Sequence, residues 1–281
     1  MASRSADPNA APTLRERLSA LGLSPNKALG QNFLHDRAIV RRIADSARIE
    51  PGEVVLEIGP GLGILTEELA TRAERVVAVE LDVRLAGRLP SVMPANVEIV
   101  EADALEIDPA KLAGPRFVVV ANLPYSSGTA IVRHLQEAQP PPRALTVMLQ
   151  REVAERMAAA PPNMSNLAVG VQFYGAPKVL FRVGGGAFAP APRVESAVIR
   201  IVSCPPPLPR ESHAAFFRVV NAGFGQKRKQ LANALSSGLF LPRDAVLLAL
   251  ERAGVPPTER AERLSVADWV RLCQAFDGAA G

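Results

Sequence analysis

Along the first two thirds of the chain, apolar residues cluster into short continuous runs; beyond that they fall into helical spacing. Val54-Val-Leu-Glu-Ile58 is a run of buried-strand length, and Gly59, Gly61 and Gly63 predict a tight turn before a helix over Ile64–Ala70. Further strands are expected at Arg75–Glu80, Val97–Val100, Phe117–Ala121 and Ala144–Leu149, with helices at Val83–Leu89 and Gln150–Met157. Upstream, Thr13 followed by Glu16 is a capping-box pattern opening a short helix to Leu23, and Asp36 is placed to cap a helix over Ala38–Ala47. Leu167–Tyr174 and Lys178–Val183 read as strand-rich, and Ala197–Val202 as the last strand. From there the spacing is helical: His213–Gly223, Gln230–Leu235, Arg243–Ala253 and Val266–Phe276.

Strands alternating with helices predict an α/β fold whose ligand edge lies at the carboxyl ends of the strands. Cys204-Pro-Pro-Pro-Leu-Pro209 reads as a stiff, extended linker. Three segments follow: a disordered tail at 1–12, an α/β domain at 13–202 and a small all-α domain at 203–281.

Composition narrows the class. With 281 residues, 48% of them apolar, the chain suits one large or two unequal domains with a substantial core. Cys204 and Cys273 are the only cysteines and stand far apart, which predicts neither a disulfide framework nor a zinc site and fits a reducing, cytoplasmic setting. No apolar run reaches membrane-spanning length, and Met1–Pro12 has no apolar stretch of the signal-peptide kind. A net charge of +4 fits a polyanionic partner and an ordinary basic soluble protein alike.

The candidate chemistry lies at the strand ends. The glycines free the backbone to approach a ligand. Their G-x-G-x-G spacing departs from the dinucleotide pattern, whose third small residue would fall at Ile64, and is more typical of S-adenosylmethionine enzymes. Glu80 lies about 20 residues past the glycines, the offset at which an acid accepts from ribose hydroxyls. Asp103 follows the next strand and could accept from the exocyclic amine of an adenine; singly, either acid also reads as a helix cap or solvated turn. Phe33 and Leu34 read as pinning their segment to the core. Asn122-Leu-Pro-Tyr125 puts a carboxamide oxygen, a backbone carbonyl and an aromatic ring at one strand end. Acceptors aimed at the two hydrogens of an aromatic amine favour a pyramidal nitrogen whose lone pair can attack a methyl group, by positioning and electrostatics alone.

Five motifs in order, Gly30-Gln31-Asn32-Phe33-Leu34, Glu57-Ile58-Gly59-Pro60-Gly61, Val79-Glu80-Leu81-Asp82, Glu101-Ala102-Asp103-Ala104-Leu105 and Asn122-Leu123-Pro124-Tyr125, resemble those of the ribosomal RNA adenine dimethyltransferases, and most of all their small-subunit branch. The resemblance runs from about Thr13 to the C-terminus. It implies a class I S-adenosylmethionine-dependent methyltransferase fold, Rossmann-like, with a mostly parallel seven-stranded sheet and a small all-α C-terminal domain. By the same resemblance Asn32 and Leu34 close over S-adenosylmethionine, Gly59 lies in the loop beside its methionine part, and Gly61 is a further cofactor-binding residue. Glu80 would hold its ribose and Asp103 its adenine. Asn122 would stand between cofactor and target amine, with the Leu123 carbonyl as second acceptor on the turn stiffened by Pro124. Tyr125 would stack on the target base. Ala187-Phe-Ala-Pro-Ala-Pro-Arg-Val-Glu-Ser196 matches a further family stretch, making Phe188 the second face of that stack; the same residue also reads as a core Phe held by Pro190 and Pro192.

The implied reaction is dimethylation of two adjacent adenosines near the 3′ end of 16S rRNA, on the immature small (30S) subunit, by a cytoplasmic monomer without a metal. Lys227, Arg228 and Lys229, the densest basic cluster, become RNA-phosphate candidates, though each also reads as part of a solvated turn. His35 is given no role. The Ala160–Asn166 connection departs from the family's usual glycine-rich one. Three alternatives stand beside this reading: a 23S rRNA methyltransferase of the macrolide-resistance type, a ribosome-assembly binding factor with secondary methylation, and a dinucleotide-dependent dehydrogenase, the last disfavoured by Ile64 and the Asn122–Tyr125 motif.

Overall fold

The computed structural model describes Glu16, Arg17, Ser19, Gly22 and residues 32–226 and 228–277. The expected tail, the Thr13 cap, Gly30, Gln31 and Lys227 lie outside the described residues.

The first elements are a two-residue strand, β1 (Phe33–Leu34), and helix α1 (Arg37–Ala47). Asp36 caps α1 as expected, its Oδ1 accepting from the N–H groups of Ala38 at 2.8 Å and Ile39 at 3.1 Å. Val40, Ile43, Ala44 and Ala47 form its buried stripe at helical spacing. Then come β2 (Val54–Ile58), α2 (Ile64–Ala70), β3 (Arg75–Glu80), α3 (Val83–Arg88) and β4 (Val97–Glu101). The chain continues through α4 (Pro109–Ala113), β5 (Phe117–Asn122), α5 (Gly128–Gln136), β6 (Ala144–Gln150) and α6 (Arg151–Met157). The remaining elements are α7 (Asn166–Gln172), β7 (Gly175–Val183), β8 (Phe188–Ala189), β9 (Ser196–Ser203), α8 (His213–Phe224), α9 (Leu231–Leu239), α10 (Arg243–Arg252) and α11 (Val266–Asp277).

Seven strands form one sheet in the order β4-β3-β2-β5-β6-β9-β7, and β1 pairs with β8 in a separate antiparallel ribbon. Strands β4 through β6 are parallel, while β9 is antiparallel to both of its neighbours. The fold is therefore the expected Rossmann-like α/β architecture with a mostly parallel seven-stranded sheet. Continuous apolar runs suit strands covered on both faces. Val55, Val118 and Val120 point into one core with α1, and Leu56, Val119, Ala121 and Val147 point into the other. The last strand, Ser196–Ser203, is threaded between β6 and β7 rather than placed at an edge.

One sequence expectation fails. Leu167–Tyr174 is not strand-rich; Asn166–Gln172 is helix α7, started by Ser165 Oγ accepting from the Ala168 N–H at 3.1 Å. The run is apolar without helical spacing because the helix is buried on more than one side. Val171 belongs to the core under the sheet, whereas Ala168 and Val169 belong to the core of the C-terminal helices. Such a run cannot be told from a buried strand by periodicity. Helices α4 and α5 were not anticipated either.

The C-terminal helices close around Trp269, which is fully buried together with Phe216, Leu235, Leu250 and Leu272. Met164, Phe173 and Tyr174, from before the Pro-rich connection, are part of this core, and the Phe173 and Phe216 rings stack at 4.4 Å. At its border the Tyr174 hydroxyl meets Glu137 Oε1 and His213 Nδ1, both at 3.2 Å.

Candidate active site

Strand β2 has β3 on one side and β5 on the other, so the chain reverses its direction of winding at β2. A crevice opens at such a switch point, beyond the carboxyl ends of the strands. Here it is a cavity of about 550 Å³. Its wall brings together Asn32, Leu34, Gly59, Gly61, Glu80, Asp103, Asn122, Leu123, Pro124, Tyr125 and Phe188, the whole predicted cofactor and catalytic set. Arg228 and Lys229 are not part of it; both are exposed on the turn between α8 and α9.

The glycine turn is built from backbone bonds. Gly59 N–H donates to Val79 O at 2.9 Å, and Gly63 N–H donates to Pro60 O at 2.9 Å. Gly61 lies in the left-handed region at φ 57° and donates its N–H to Glu80 Oε2 at 3.3 Å. Gly63, at φ 75°, is the N-cap of α2; it does not line the cavity, and a Cβ on it would meet Met93 Cε at 2.5 Å. The first two glycines thus face the cavity and the third serves packing.

Glu80 ends β3 and lines the cavity. Burial raises its pKa, while the N–H groups of Asp82 (2.9 Å, to Oε1) and Gly61 favour the charged form. Asp103 holds a turn, its Oδ1 accepting from Leu105 N–H at 2.8 Å. Sequence reasoning gave Glu57 no role, yet it is fully buried in the cavity wall, and its Oε2 has no hydrogen-bond partner among the described residues. Burial pushes its pKa up to about 8, and the charge of Glu80 acts in the same direction. The nearby Thr66 hydroxyl opposes this, though Thr66 Oγ1 has no partner within hydrogen-bonding distance among the described residues. An acid inside an otherwise apolar strand was the signal, because Glu is almost never fully buried without a partner.

On the facing side, Phe33 covers the glycine turn: a Cβ on Gly61 would lie 3.4 Å from its ring. This segment is fastened by β8, with Leu34 opposite Phe188 and His35 N–H donating to Ala187 O at 2.9 Å. Arg17, only 6% exposed, donates to Leu62 O at 3.0 Å and pairs with Glu67 on α2, tying the N-terminal helical segment to the end of the glycine turn.

Strand β5 delivers the fourth wall. Leu123 N–H is held by Met148 O at 3.1 Å, and Gly128 N–H donates to Pro124 O at 2.9 Å where α5 begins. The Asn122 carboxamide and the Leu123 carbonyl make no hydrogen bond among the described residues. Tyr125 hydroxyl bonds Ser196 Oγ at 2.8 Å, and Ser196, on β9, is fully buried. Phe188 is buried at 4% exposure and lines the same cavity as Tyr125.

Among the described residues no group of three His, Cys, Asp or Glu side chains could hold a metal ion, and no helix is long and apolar enough to cross a membrane. A glycine turn after the central strand, acids at the next two strand ends and an open cavity between them define a Rossmann-like fold of the methyltransferase type. The chain belongs to the ribosomal RNA adenine dimethylase family, whose family model matches residues 22–277. It is 40% identical over 267 residues to ribosomal RNA small subunit methyltransferase A of Dehalococcoides mccartyi, covering 93% of this chain and 92% of that one. The protein of that name from Geobacillus thermodenitrificans is 40% identical over 276 residues, with 93% and 94% covered. Among solved structures, the 23S rRNA methyltransferase ErmE superposes with a TM-score of 0.70 at 33% identity, over 88% of this chain and 100% of that one. A dimethyladenosine transferase from Plasmodium falciparum gives 0.74 at 23% identity over 88% and 98%, a likeness of fold.

Proposed function

We propose that this protein transfers methyl groups from S-adenosylmethionine to the exocyclic amines of two adjacent adenosines near the 3′ end of 16S rRNA. Two methyls go to each adenosine, on the immature 30S subunit. The observation that carries the chemistry is the pair of acceptors at the end of β5, the Asn122 carboxamide oxygen and the Leu123 carbonyl, unpartnered among the described residues, in a cavity that also presents Tyr125 and Phe188. Curated relatives at about 40% identity, named for the small subunit, support that substrate over the 23S rRNA of ErmE.

The residues fit the cofactor. A cavity of about 550 Å³ suits a ligand of nucleoside size. Glu80 keeps acceptor capacity for ribose hydroxyls, and Asp103, with Oδ1 bound to Leu105, leaves Oδ2 for an adenine amine. The orphaned Glu57 Oε2 suits a cationic or hydrogen-bonding group. Gly59 and Gly61 would hold the methionine part, closed over by Asn32 and Leu34. When bound, S-adenosylmethionine supplies an electrophilic methyl group on its sulfonium.

The protein's own work is orientation. Asn122 and Leu123 accept the two hydrogens of the target amine, so that its lone pair leaves the ring's conjugation and turns toward the methyl. As the nitrogen–carbon bond forms, the methyl–sulfur bond breaks and one amine proton passes to solvent. The monomethylated amine keeps a single hydrogen, so in a second turnover only one of the two acceptors is engaged and the site must also accommodate the first methyl. Tyr125 and Phe188 hold the base from its two faces, offsetting part of the unstacking that a base-modifying enzyme must impose. Exposed Arg228 and Lys229, with Lys227, take phosphates. The setting is the cytoplasm, where such subunits mature, and the working unit is a monomer.

The deciding experiment is transfer of labelled methyl to undermethylated small subunits, with nucleoside and position identified. Dimethyladenosine at two adjacent 3′-end positions is the expected product. Labelled 23S rRNA instead would move the protein to the resistance type. Asn122→Ala is expected to lower kcat about 10²- to 10³-fold, the scale of losing one preorganised polar group, with cofactor affinity nearly unchanged. An Asn122→Ala protein that still binds immature subunits at wild-type affinity would point to an additional assembly role.

A further inference from the structure

The segment from Ser212 to Arg243 holds Arg218, Lys227, Arg228, Lys229 and Arg243 and no Asp or Glu. Those five cations are uncompensated within the segment, which therefore carries +5 beside +4 for the whole chain. Among them, Arg218, Arg228, Lys229 and Arg243 are exposed. Between α8 and α9 lies an open groove of about 520 Å³, lined by Phe217, Arg218, Asn221, Gln226, Ala234 and Gly238 among others.

Two residues beyond Gly238 stands Phe240, 93% exposed; among the described residues the next most exposed large apolar side chain is Leu81 at 68%. Phe240 adopts φ 58° and ψ 38°, a left-handed backbone that bulky side chains rarely take. Its neighbours explain the direction it points. Leu239 and Leu241 pack on the helical core, Phe240 N–H and Leu241 N–H (3.2 Å) both donate to Ser236 O, and Ser236 Oγ donates to Leu241 O at 2.7 Å. The turn is closed on itself, and the ring is held out in water by a conformation that disfavours it. Strain kept at an exposed aromatic is expected where a contact needs it.

We propose that Phe240 is a stacking platform for an unpaired base of the RNA substrate, with the cations of the same acid-free segment on the adjoining phosphates. An exposed aromatic ring carried by an acid-free segment rich in Arg and Lys suits single-stranded nucleic-acid binding, whereas the centre of a protein–protein interface is depleted of charge. The contact lies outside the cavity, and it rests on the reading of the chain as an rRNA methyltransferase.

The test uses Phe240→Trp. The chain has a single tryptophan, Trp269, which is fully buried, so the new indole reports alone on the surface. Its emission is expected to be quenched by undermethylated small subunits and by protein-free 16S rRNA. Phe240→Ala is expected to raise KM for subunits about tenfold, within the range of one base–aromatic stack, with kcat at saturation and cofactor affinity retained. Quenching by subunits but not by protein-free rRNA would assign the ring to a ribosomal protein and overturn the proposal. So would an unquenched Phe240→Trp protein together with a wild-type KM for Phe240→Ala, while methylation by the wild type continued. If the wild type methylated no small-subunit RNA, the functional reading would fail first, and the quenching by 16S rRNA, read without turnover, would still decide the role of Phe240.

Discussion

Leu34 and Phe188 are cross-strand partners in a two-residue antiparallel ribbon, and both line the cavity. One belongs to the segment expected to close over the cofactor, the other to the expected clamp on the target base. Their pairing makes the two halves of the site one mechanical unit.

The first prediction follows from that pairing. Phe188→Ala removes a buried ring, which typically destabilises by about 3–5 kcal/mol, and should also weaken S-adenosylmethionine several-fold by loosening Leu34. Tyr125→Ala, with no such partner, should leave cofactor affinity within twofold. Calorimetric titration of both variants with S-adenosylmethionine checks this. Equal, unchanged affinities would mean that β1 is held without Phe188.

Tyr125 separates stacking from hydrogen bonding. Tyr125→Phe keeps the ring but leaves the buried Ser196 hydroxyl without its 2.8 Å partner. Leaving a buried polar group unpaired costs about 1–3 kcal/mol, so its denaturant midpoint should fall while most methyl transfer survives. Tyr125→Ala should lose methyl transfer about tenfold or more, since stacking on one base is worth about 1–3 kcal/mol. A Tyr125→Phe enzyme as impaired as Tyr125→Ala would assign the hydroxyl a part in the chemistry.

How much of this was legible follows from what each residue does locally. The sheet was, because strands covered on both faces, such as Phe117–Ala121, must be apolar at every position. The same rule misled at Asn166–Gln172, where a helix buried against two cores has the composition of a strand. At the site, residues at strand ends were legible from spacing: Glu80, Asp103 and Asn122 stand where three parallel strands stop. Ser196 and Arg17 were not, since the one bonds the Tyr125 hydroxyl from the antiparallel strand β9 and the other bonds Leu62 O at the glycine turn, long-range contacts that spacing along the chain does not encode. Glu57 was visible as a charge in a buried strand, but only the fold shows its second oxygen orphaned.

Glu57 predicts a pH dependence of stability. Its carboxyl ionises near 4.5 when unfolded and at about 8 when folded. The folded state therefore favours the proton, and the associated stability is fully present below pH 4.5 and lost as pH rises to about 8. Glu57→Gln, which cannot ionise, should lie close to the wild type at pH 4.5 and gain on it steadily up to pH 8. Urea midpoints across this range measure the difference. Parallel curves for the two proteins would show that Glu57 is charged in the folded state throughout.

Gly63 tests whether the third glycine serves the cofactor or the core. It lies at φ 75°, outside the cavity wall, and a Cβ there would sit 2.5 Å from Met93 Cε and 3.2 Å from Leu89 Cδ2. Gly63→Ala therefore faces two penalties: about 1–2 kcal/mol for a left-handed alanine, and a clash that Met93 must yield to. The second is partly avoidable, because a methionine end is flexible. In a Met93→Ala background the same substitution should cost the conformational part and only the small shift that Leu89 must make, so the double variant should be more stable than additivity allows. Cofactor affinity should stay near wild type in every folded combination, in contrast to Gly61→Ala, whose added methyl points at Phe33 and the cavity. Additive stabilities would remove Met93 from the explanation. A selective loss of cofactor affinity in Gly63→Ala would return the third glycine to the binding loop.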